Sequence, residues 1–280
     1  MSKNTKDQFG NRMKNYEKVF TEIKVDPSEV LCVRLDGKGF SKFTKGFTKP
    51  FDERMTKSMV QTAEMLVKET NPQIAYTQSD EISLIYTAGE KSSEHIYGGK
   101  VSKINSILAA IATAHFNKFV TINAPDIVSS KGLAYFDCRS FSVPELVEAS
   151  NVILWRNQDA KKNSISCLMR WTCGHKAMQD MNGEQMKNYM LSEKNVDWNK
   201  LPNEWKYGVF SKKEKYETIM DEEQWNKIPE NKKPDSRIVI RSRVVSESPK
   251  FYGDFSLAER INMITSKSFN IEKEVSYGIK

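Results

Sequence analysis

Between Val30 and Cys138 the apolar positions change period several times. Val30-Leu31-Cys32-Val33-Arg34-Leu35 is a short β-rich run closed by Asp36-Gly37-Lys38-Gly39-Phe40, whose two glycines mark a turn. From Asp52, a residue suited to cap a helix, apolar side chains recur at Met55, Met59, Ala63, Leu66 and Val67 and stop before Asn71-Pro72. That spacing predicts a helix. Ile74-Ala75-Tyr76-Thr77 and Ile82-Ser83-Leu84-Ile85-Tyr86 flank Gln78-Ser79-Asp80-Glu81, which predicts a hairpin with a polar tip. Val101, Ile104, Ile107, Leu108, Ile111, Ala112 and Phe116 predict a second amphipathic helix, and Leu133-Ala134-Tyr135-Phe136-Asp137-Cys138 a fourth strand.

The order β-α-β-β-α-β is the split-βαβ, ferredoxin-like arrangement of the α+β class, an antiparallel sheet with its helices on one face. In it the third strand lies between the first and second, antiparallel to both. The end of the first strand and the tip of the hairpin then meet at one edge of the sheet. Beyond residue 140 the pattern changes. Residues 152–195 read as mostly helical, with Trp155, Ile165, Leu168, Met169, Met178, Met181, Met186 and Met190 as core filler. Residues 196–236 are turn-rich and basic, and Arg237 to Val245 alternates like a strand suited to pair with Tyr207-Gly208-Val209-Phe210. The expected organisation is a catalytic unit over 1–140, a helical and hairpin extension over 141–245 packed on it, and 246–280 as a tail or docked extension.

Composition narrows the function class. With 280 residues, 39% of them hydrophobic, the chain is long enough to bury a sizeable core, which excludes disorder across its length. The longest apolar run, Ile107 to Ala114, is far short of the ~20 residues that span a bilayer, so no membrane segment is expected. The first twenty residues lack an apolar stretch and a cleavage site of small residues, which argues against secretion. Cys32, Cys138, Cys167 and Cys173 show no metal-binding spacing and suggest a reducing cytoplasm, with an organellar address left open. Forty-three Lys and Arg against 36 Asp and Glu give +7, which suits a phosphate-rich partner and equally describes scattered solubilising charge.

The chemistry sits at the shared edge. Asp36 ends the first strand and Asp80 sits in the hairpin, and neighbouring strands lie about 4.8 Å apart, so the topology brings both carboxylates within reach of shared cations. Two acids there repel, and hard divalent ions, above all Mg²⁺, suit them. A pair of such ions can activate a hydroxyl and neutralise a leaving phosphate, which is phosphoryl or nucleotidyl transfer. Gly37 and Gly39 leave room for triphosphate oxygens at the backbone amides of Lys38, Gly39 and Phe40. The spacing is not that of a P-loop. His95, His115 and His175 form no site by spacing.

Three segments, Arg34-Leu35-Asp36-Gly37-Lys38-Gly39-Phe40, Phe47-Thr48-Lys49-Pro50-Phe51-Asp52 and Tyr76-Thr77-Gln78-Ser79-Asp80-Glu81, resemble in order and spacing the motifs of the tRNA-histidine guanylyltransferase superfamily of 3′-to-5′ polymerases. The resemblance runs on through Phe136-Asp137-Cys138-Arg139, Trp155-Arg156-Asn157-Gln158-Asp159-Ala160, Asn163-Ser164-Ile165-Ser166, Trp198-Asn199 and Gly208-Val209-Phe210, over roughly residues 9–245. It implies a polymerase palm in which Asp36, Asp80 and the carbonyl of Gly37 ligate two Mg²⁺ ions, with Ser79 and Glu81 flanking them and Glu81 counted among the catalytic acids. It implies that Asp36 to Ser41 hold a triphosphate, that Lys49 pairs with phosphate and that Asp52 contacts the base of an activating ATP or GTP. The activated 5′ end of a tRNA is then attacked by the 3′-hydroxyl of an incoming nucleoside triphosphate. It implies a homotetramer, a dimer of dimers.

The chain departs from the eukaryotic pattern at one point. Where those enzymes carry His-Ile-Asn-Asn, it has Lys161-Lys162-Asn163-Ser164, which resembles the like-protein branch. That favours repair of 5′-truncated tRNA over strict addition to tRNA-histidine, and makes Arg156, Lys161, Lys162 and Asn163 the expected RNA contacts. A nucleotide cyclase built on a related palm and a non-catalytic RNA-binding protein are the competing readings.

Overall fold

The computed structural model describes residues 3–87 and 94–269. In chain order the elements are α1 (Lys3–Thr21), β1 (Val30–Gly37), α2 (Phe40–Phe43), α3 (Glu53–Thr70), β2 (Ile74–Gln78), β3 (Glu81–Tyr86), α4 (Val101–Asn123), α5 (Pro125–Lys131) and β4 (Phe136–Val143). There follow α6 (Leu146–Cys173), α7 (Gly183–Lys194), α8 (Asn203–Tyr207), β5 (Val209–Ile219), α9 (Glu222–Asn226), β6 (Ile238–Glu247) and α10 (Leu257–Thr265). Six strands form one sheet in the order β4-β1-β3-β2-β5-β6, every neighbouring pair antiparallel. β3 lies between β1 and β2, as the split-βαβ pattern requires, and the ferredoxin-like palm is the architecture of residues 30–143.

β1, β2 and β3 are buried on both faces, which is why their sequences read as near-continuous apolar runs. Leu31, Val33, Leu35, Ile82 and Leu84 point toward α3 and α4 and meet Leu66, Leu108 and Phe116 in one core. Val30, Cys32, Ile74, Tyr76 and Ile85 point to the other face, where Ala149 and Ile153 of α6, Tyr252, and Met263 and Ile264 of α10 cover them. The palm's own two helices thus share one face, and the region after residue 143 supplies the second layer. A third core joins α6 to α7 through Leu168, Met169, Met190 and Trp198. Each fully buried aliphatic side chain contributes on the order of 1.5–3 kcal/mol, so both layers are held mainly by apolar burial.

Several boundaries differ from the sequence expectation. The fourth strand begins at Phe136 and runs to Val143, because Leu133 and Tyr135 face solvent and the alternation that matters is that of Phe136, Cys138 and Ser140 against Asp137, Arg139 and Phe141. The strand at Ile238–Glu247 pairs with Phe210 to Ile219 rather than with residues 207–210, and only Val209 to Ser211 of β5 pair with β2. The rest of that hairpin runs past the sheet as a two-stranded arm. α1, which the sequence reading passed over, carries Phe9, Met13, Tyr16 and Phe20 at helical spacing, all exposed. Of the last 35 residues, Tyr252 and α10 dock on the sheet, while 270–280 lie outside the described residues. No described helix is long and apolar enough to cross a membrane.

Candidate active site

The register places Asp36 opposite Glu81 on β3 and opposite Asp137 on β4, so these acids share the sheet face turned toward α6. The hairpin tip closes over the end of β1. Ser79 sits in the left-handed region at φ 50°, and the Gly37 amide donates to the Asp80 carbonyl at 3.1 Å. Asp36 and Asp80 consequently line one cavity of about 280 Å³ together with Arg34, Gln78, Ser79, Glu81, Arg156 and Asn163. Burial, and then the nearby Asp36 charge, lift the Asp80 carboxyl above its ordinary value, against a hydrogen bond from Ser79 Oγ at 3.0 Å. Neither Asp36 nor Asp80 forms an ion pair with a Lys or Arg among the described residues.

The turn after β1 is shaped by its glycines. A Cβ on Gly37 would lie 2.3 Å from the Phe40 ring, which folds back to meet Phe116 and Phe136 at centroid distances of 5.2 and 5.1 Å. Gly39 has φ 68°, the left-handed region where a side chain is strained. The Lys38 amide, expected to be open to a triphosphate, donates instead to the Tyr135 carbonyl at 2.8 Å. The amides left at this turn are those of Gly39, Phe40 and Ser41, at the start of α2 where a helix has no internal acceptors.

A second cavity, of about 520 Å³, opens beyond the hairpin. Ser41, Thr48, Lys49 and Asp52 line one side, Ser79 and Asp80 the sheet end, and Asn163, Ser164, Cys167 and Arg170 of α6 the far wall. Stacked Phe51 and Trp205, 5.2 Å apart at 17°, border it. Asn163 and Asp80 line both cavities and so mark their junction. Burial pushes the Cys167 thiol up, against the pull of the Lys49 and Arg170 charges, which keeps it a neutral wall group.

Three residues singled out from the sequence take other duties. Asp52 caps α3: its Oδ1 accepts from the Arg54 amide at 2.9 Å and Nε at 3.1 Å, its Oδ2 from the Thr48 amide at 2.7 Å and Arg54 Nη2 at 2.9 Å. These four bonds fill the carboxylate, which burial alone would push up and which Arg54 and Thr48 hold down at about 2. Glu81 is buried, and both its oxygens accept from Arg156 at 2.7 Å. Burial lifts the Glu81 carboxyl and the Arg156 hydrogen bonds work against that lift. Arg156, expected to meet RNA, is therefore corrected to a buried partner of Glu81 and Asp159 that ties α6 to β3. The sequence showed its charge but not that this position of α6 faces the sheet. Of the other expected RNA contacts, Lys161 lies 4.4 Å from the Phe251 ring, while Lys162 and Asn163 are exposed.

Two residues of the Trp155 to Ala160 segment take places that spacing does not reveal, and Trp155, expected as core filler, is corrected to a half-exposed position. Asn157, fully buried, donates to the Tyr207 carbonyl at 2.7 Å and accepts from the Tyr252 amide at 3.0 Å, joining α6 to the segment before β5 and to the C-terminal layer. Trp155 stands half in solvent over the guanidiniums of Arg156 and Arg34.

Residues 10–144 match the family described as tRNAHis guanylyltransferase (Thg1). An uncharacterized protein of Acanthamoeba polyphaga mimivirus is 32% identical over 232 residues, covering 76% of this chain and 79% of that protein. A tRNA(His) guanylyltransferase of Kluyveromyces lactis is 28% identical over 197 residues, 65% of this chain and 81% of its own length. Among solved structures, a bacterial tRNA(His) guanylyltransferase-like protein in complex with ATP superposes with a TM-score of 0.74 at 32% identity, covering 94% of this chain and 100% of that one. The tRNA(His) guanylyltransferase of Saccharomyces cerevisiae superposes with a TM-score of 0.61 at 26% identity, covering 67% of this chain and 87% of the yeast one.

Proposed function

From the premise that this chain belongs to the tRNAHis guanylyltransferase family of nucleotidyltransferases, we propose that it extends the 5′ end of tRNA in the 3′-to-5′ direction, copying the opposite strand to repair truncated ends. The observation that carries this reading is the convergence of Asp36, at the end of β1, and Asp80, in the β2–β3 turn, on one cavity wall continuous with the Lys49 cavity. Repair, rather than a fixed addition to tRNA-histidine, is favoured by Lys161 and Lys162 in place of the His-Ile step. The bacterial like-protein also superposes on far more of the chain than the yeast enzyme does.

The donor set fits a hard divalent cation. Asp36 and Asp80 offer carboxylate oxygens that no side-chain cation neutralises among the described residues, and Gly37 follows Asp36 at the end of β1. Arg34 and Arg156, the nearest guanidiniums, are drawn to Glu81 instead. Bound Mg²⁺ would supply charge neutralisation at the reacting phosphate and a more acidic attacking hydroxyl. The chain's own groups do the positioning. The larger cavity takes the base and sugar of ATP or GTP, with Lys49 and the amides of Gly39, Phe40 and Ser41 toward its phosphates. With the Asp52 carboxylate filled, base contact falls to backbone and to the walls. Activation joins the 5′-monophosphate of the tRNA to the nucleoside monophosphate and releases pyrophosphate. Attack by the 3′-hydroxyl of the incoming triphosphate then forms the new phosphodiester and releases the nucleoside monophosphate. Asn163, at the junction, is placed to hold the 5′ phosphate between the two steps.

The test is incubation with Mg²⁺, labelled triphosphates and a tRNA lacking its first nucleotide. Growth at the 5′ end matched to the opposite strand is expected. A cyclic nucleotide product, or RNA binding with no product, would replace this reading by the cyclase or the binder. Asp36→Ala and Asp80→Ala are expected to abolish addition while the fold survives, since each relieves repulsion as it removes a ligand. The assembly proposed with this function is a homotetramer, supported by the uncovered apolar stripe of Phe9, Met13, Tyr16 and Phe20 on α1.

A further inference from the structure

Trp155 is 52% exposed, and two guanidiniums lie against its ring. Its ring lies 4.6 Å from the Arg156 guanidinium, which Glu81 fixes by two hydrogen bonds, and 5.6 Å from that of Arg34. A large aromatic face is thus held in place at the surface by two cations, at a cost in apolar exposure that the fold does not need. Beside it, Arg34 pairs directly with Arg139 across β1 and β4, placing two like charges opposite each other on one face. Glu81 at 4.0 Å from Arg34 and Asp137 at 3.3 Å from Arg139 are the acids that face them. Arg139 is largely exposed, and Phe141, two residues on along the same face of the edge strand, is 39% exposed. The surface begins one pleat from Asp36, which lies two residues beyond Arg34.

A fixed aromatic face with guanidiniums alongside is the chemistry that binds single-stranded nucleic acid, with bases on the rings and phosphates on the cations. Resting on the reading that an RNA 5′ end is held at Asp36 and Asp80, we infer that Trp155, Arg139 and Phe141 form a track for the unpaired 3′ strand of the tRNA acceptor end. Two features of the surface choose that occupant. The Asp80 side of the acids is walled by the larger cavity, whereas the β4 side is an open edge, suited to a strand that continues past the last base pair. A single incoming nucleotide needs walls, and this surface has none beyond Trp155 itself. Arg139, whose side chain is 56% exposed beside Asp137, is the cation that reaches solvent to meet a phosphate backbone.

The test compares two acceptor-stem RNAs with the same duplex, one blunt and one with a single-stranded 3′ extension, by fluorescence anisotropy and in 5′-addition kinetics. The wild-type protein is expected to bind the extended RNA about tenfold more tightly, the gain from one base stacked on an aromatic ring. Trp155→Ala should erase that difference, Trp155→Phe should keep most of it, and Trp171→Ala, an exposed tryptophan further along α6, should keep all of it. The kinetic effect should fall on KM for the extended RNA. The inference is overturned if Trp155→Ala weakens both RNAs equally, if it leaves the difference intact, or if it raises KM for the incoming triphosphate instead. Because binding is read without catalysis, loss of the preference stays distinguishable from absence of 5′ addition.

Discussion

Glu81 illustrates how a residue next to a candidate metal site can carry stability instead of chemistry. Its carboxylate and the Arg156 guanidinium are both buried and satisfy each other through two 2.7 Å bonds. Removing one partner leaves the other charged in a low-dielectric setting, so Glu81→Ala is expected to cost about 3–5 kcal/mol in a urea titration. A variant stable to within 1 kcal/mol, by the usual scatter of surface substitutions, would return Glu81 to the list of open acids. Sequence reasoning brings Asp36 and Asp80 to one sheet edge because strand ends and turn residues are legible in spacing, whereas Lys49 and Asn163 entered only through the family resemblance; all four line the two adjoining cavities. It misassigned Arg156, whose meaning depends on which face of α6 meets the sheet. It had no means to see that four bonds fill the Asp52 carboxylate, three of them from the neighbouring Arg54.

Among the elements, α3 has its start set by a buried titrating group. Held at about 2, against about 4 in an unfolded chain, Asp52 favours the folded state at every pH above about 4, and that contribution is lost as pH falls from about 4 through about 2. Asp52→Asn should therefore be less stable than wild type at pH 7 by about 1–2 kcal/mol, with the gap closing by pH 2 in a denaturation series. A gap independent of pH would show that the carboxylate charge is not what the cap uses. The docked C-terminal segment is the second element-scale case. Tyr252 is fully buried and stacks on Phe210 at 5.4 Å, so Tyr252→Ala is expected to cost about 3–5 kcal/mol, read from the melting midpoint. The palm strands and helices were legible because their periods are strong and their turns carry Gly, Asn and Pro. α10 was not, since its short apolar face, Met263 and Ile264, has meaning only once β2 and β5 exist to receive it. α1 is not legible because its charges break up an apolar stripe that stays exposed among the described residues.

At the scale of the molecule, the net charge of +7 becomes informative only through its placement. Lys213, Lys215, Arg241 and Arg243 lie on the two-stranded arm, and Arg139 and Lys162 near the site. RNA affinity should fall steeply between 50 and 200 mM salt, by roughly tenfold or more for each few phosphate contacts. The α1 stripe gives a separate expectation: light scattering should report a mass near four chains of 32.2 kDa, and Tyr16→Asp with Phe20→Asp should lower it. A monomer at micromolar concentration would remove the tetramer from the account. The fold class and the meeting of strand end and hairpin were implied by element order alone. The second layer, the arm and the split of the site into two cavities were not, because they arise from tertiary contacts that no local period reports, such as Arg156 on Glu81 and Tyr252 on Phe210. The claim beneath all of this is that Asp36 and Asp80 hold divalent cations in common. Mn²⁺ titration followed by electron paramagnetic resonance, with ATP present, tests it most directly. Wild-type protein should bind the ion at a stoichiometry that Asp36→Ala and Asp80→Ala each reduce, with their melting curves unchanged; equal Mn²⁺ binding by all three proteins would contradict it.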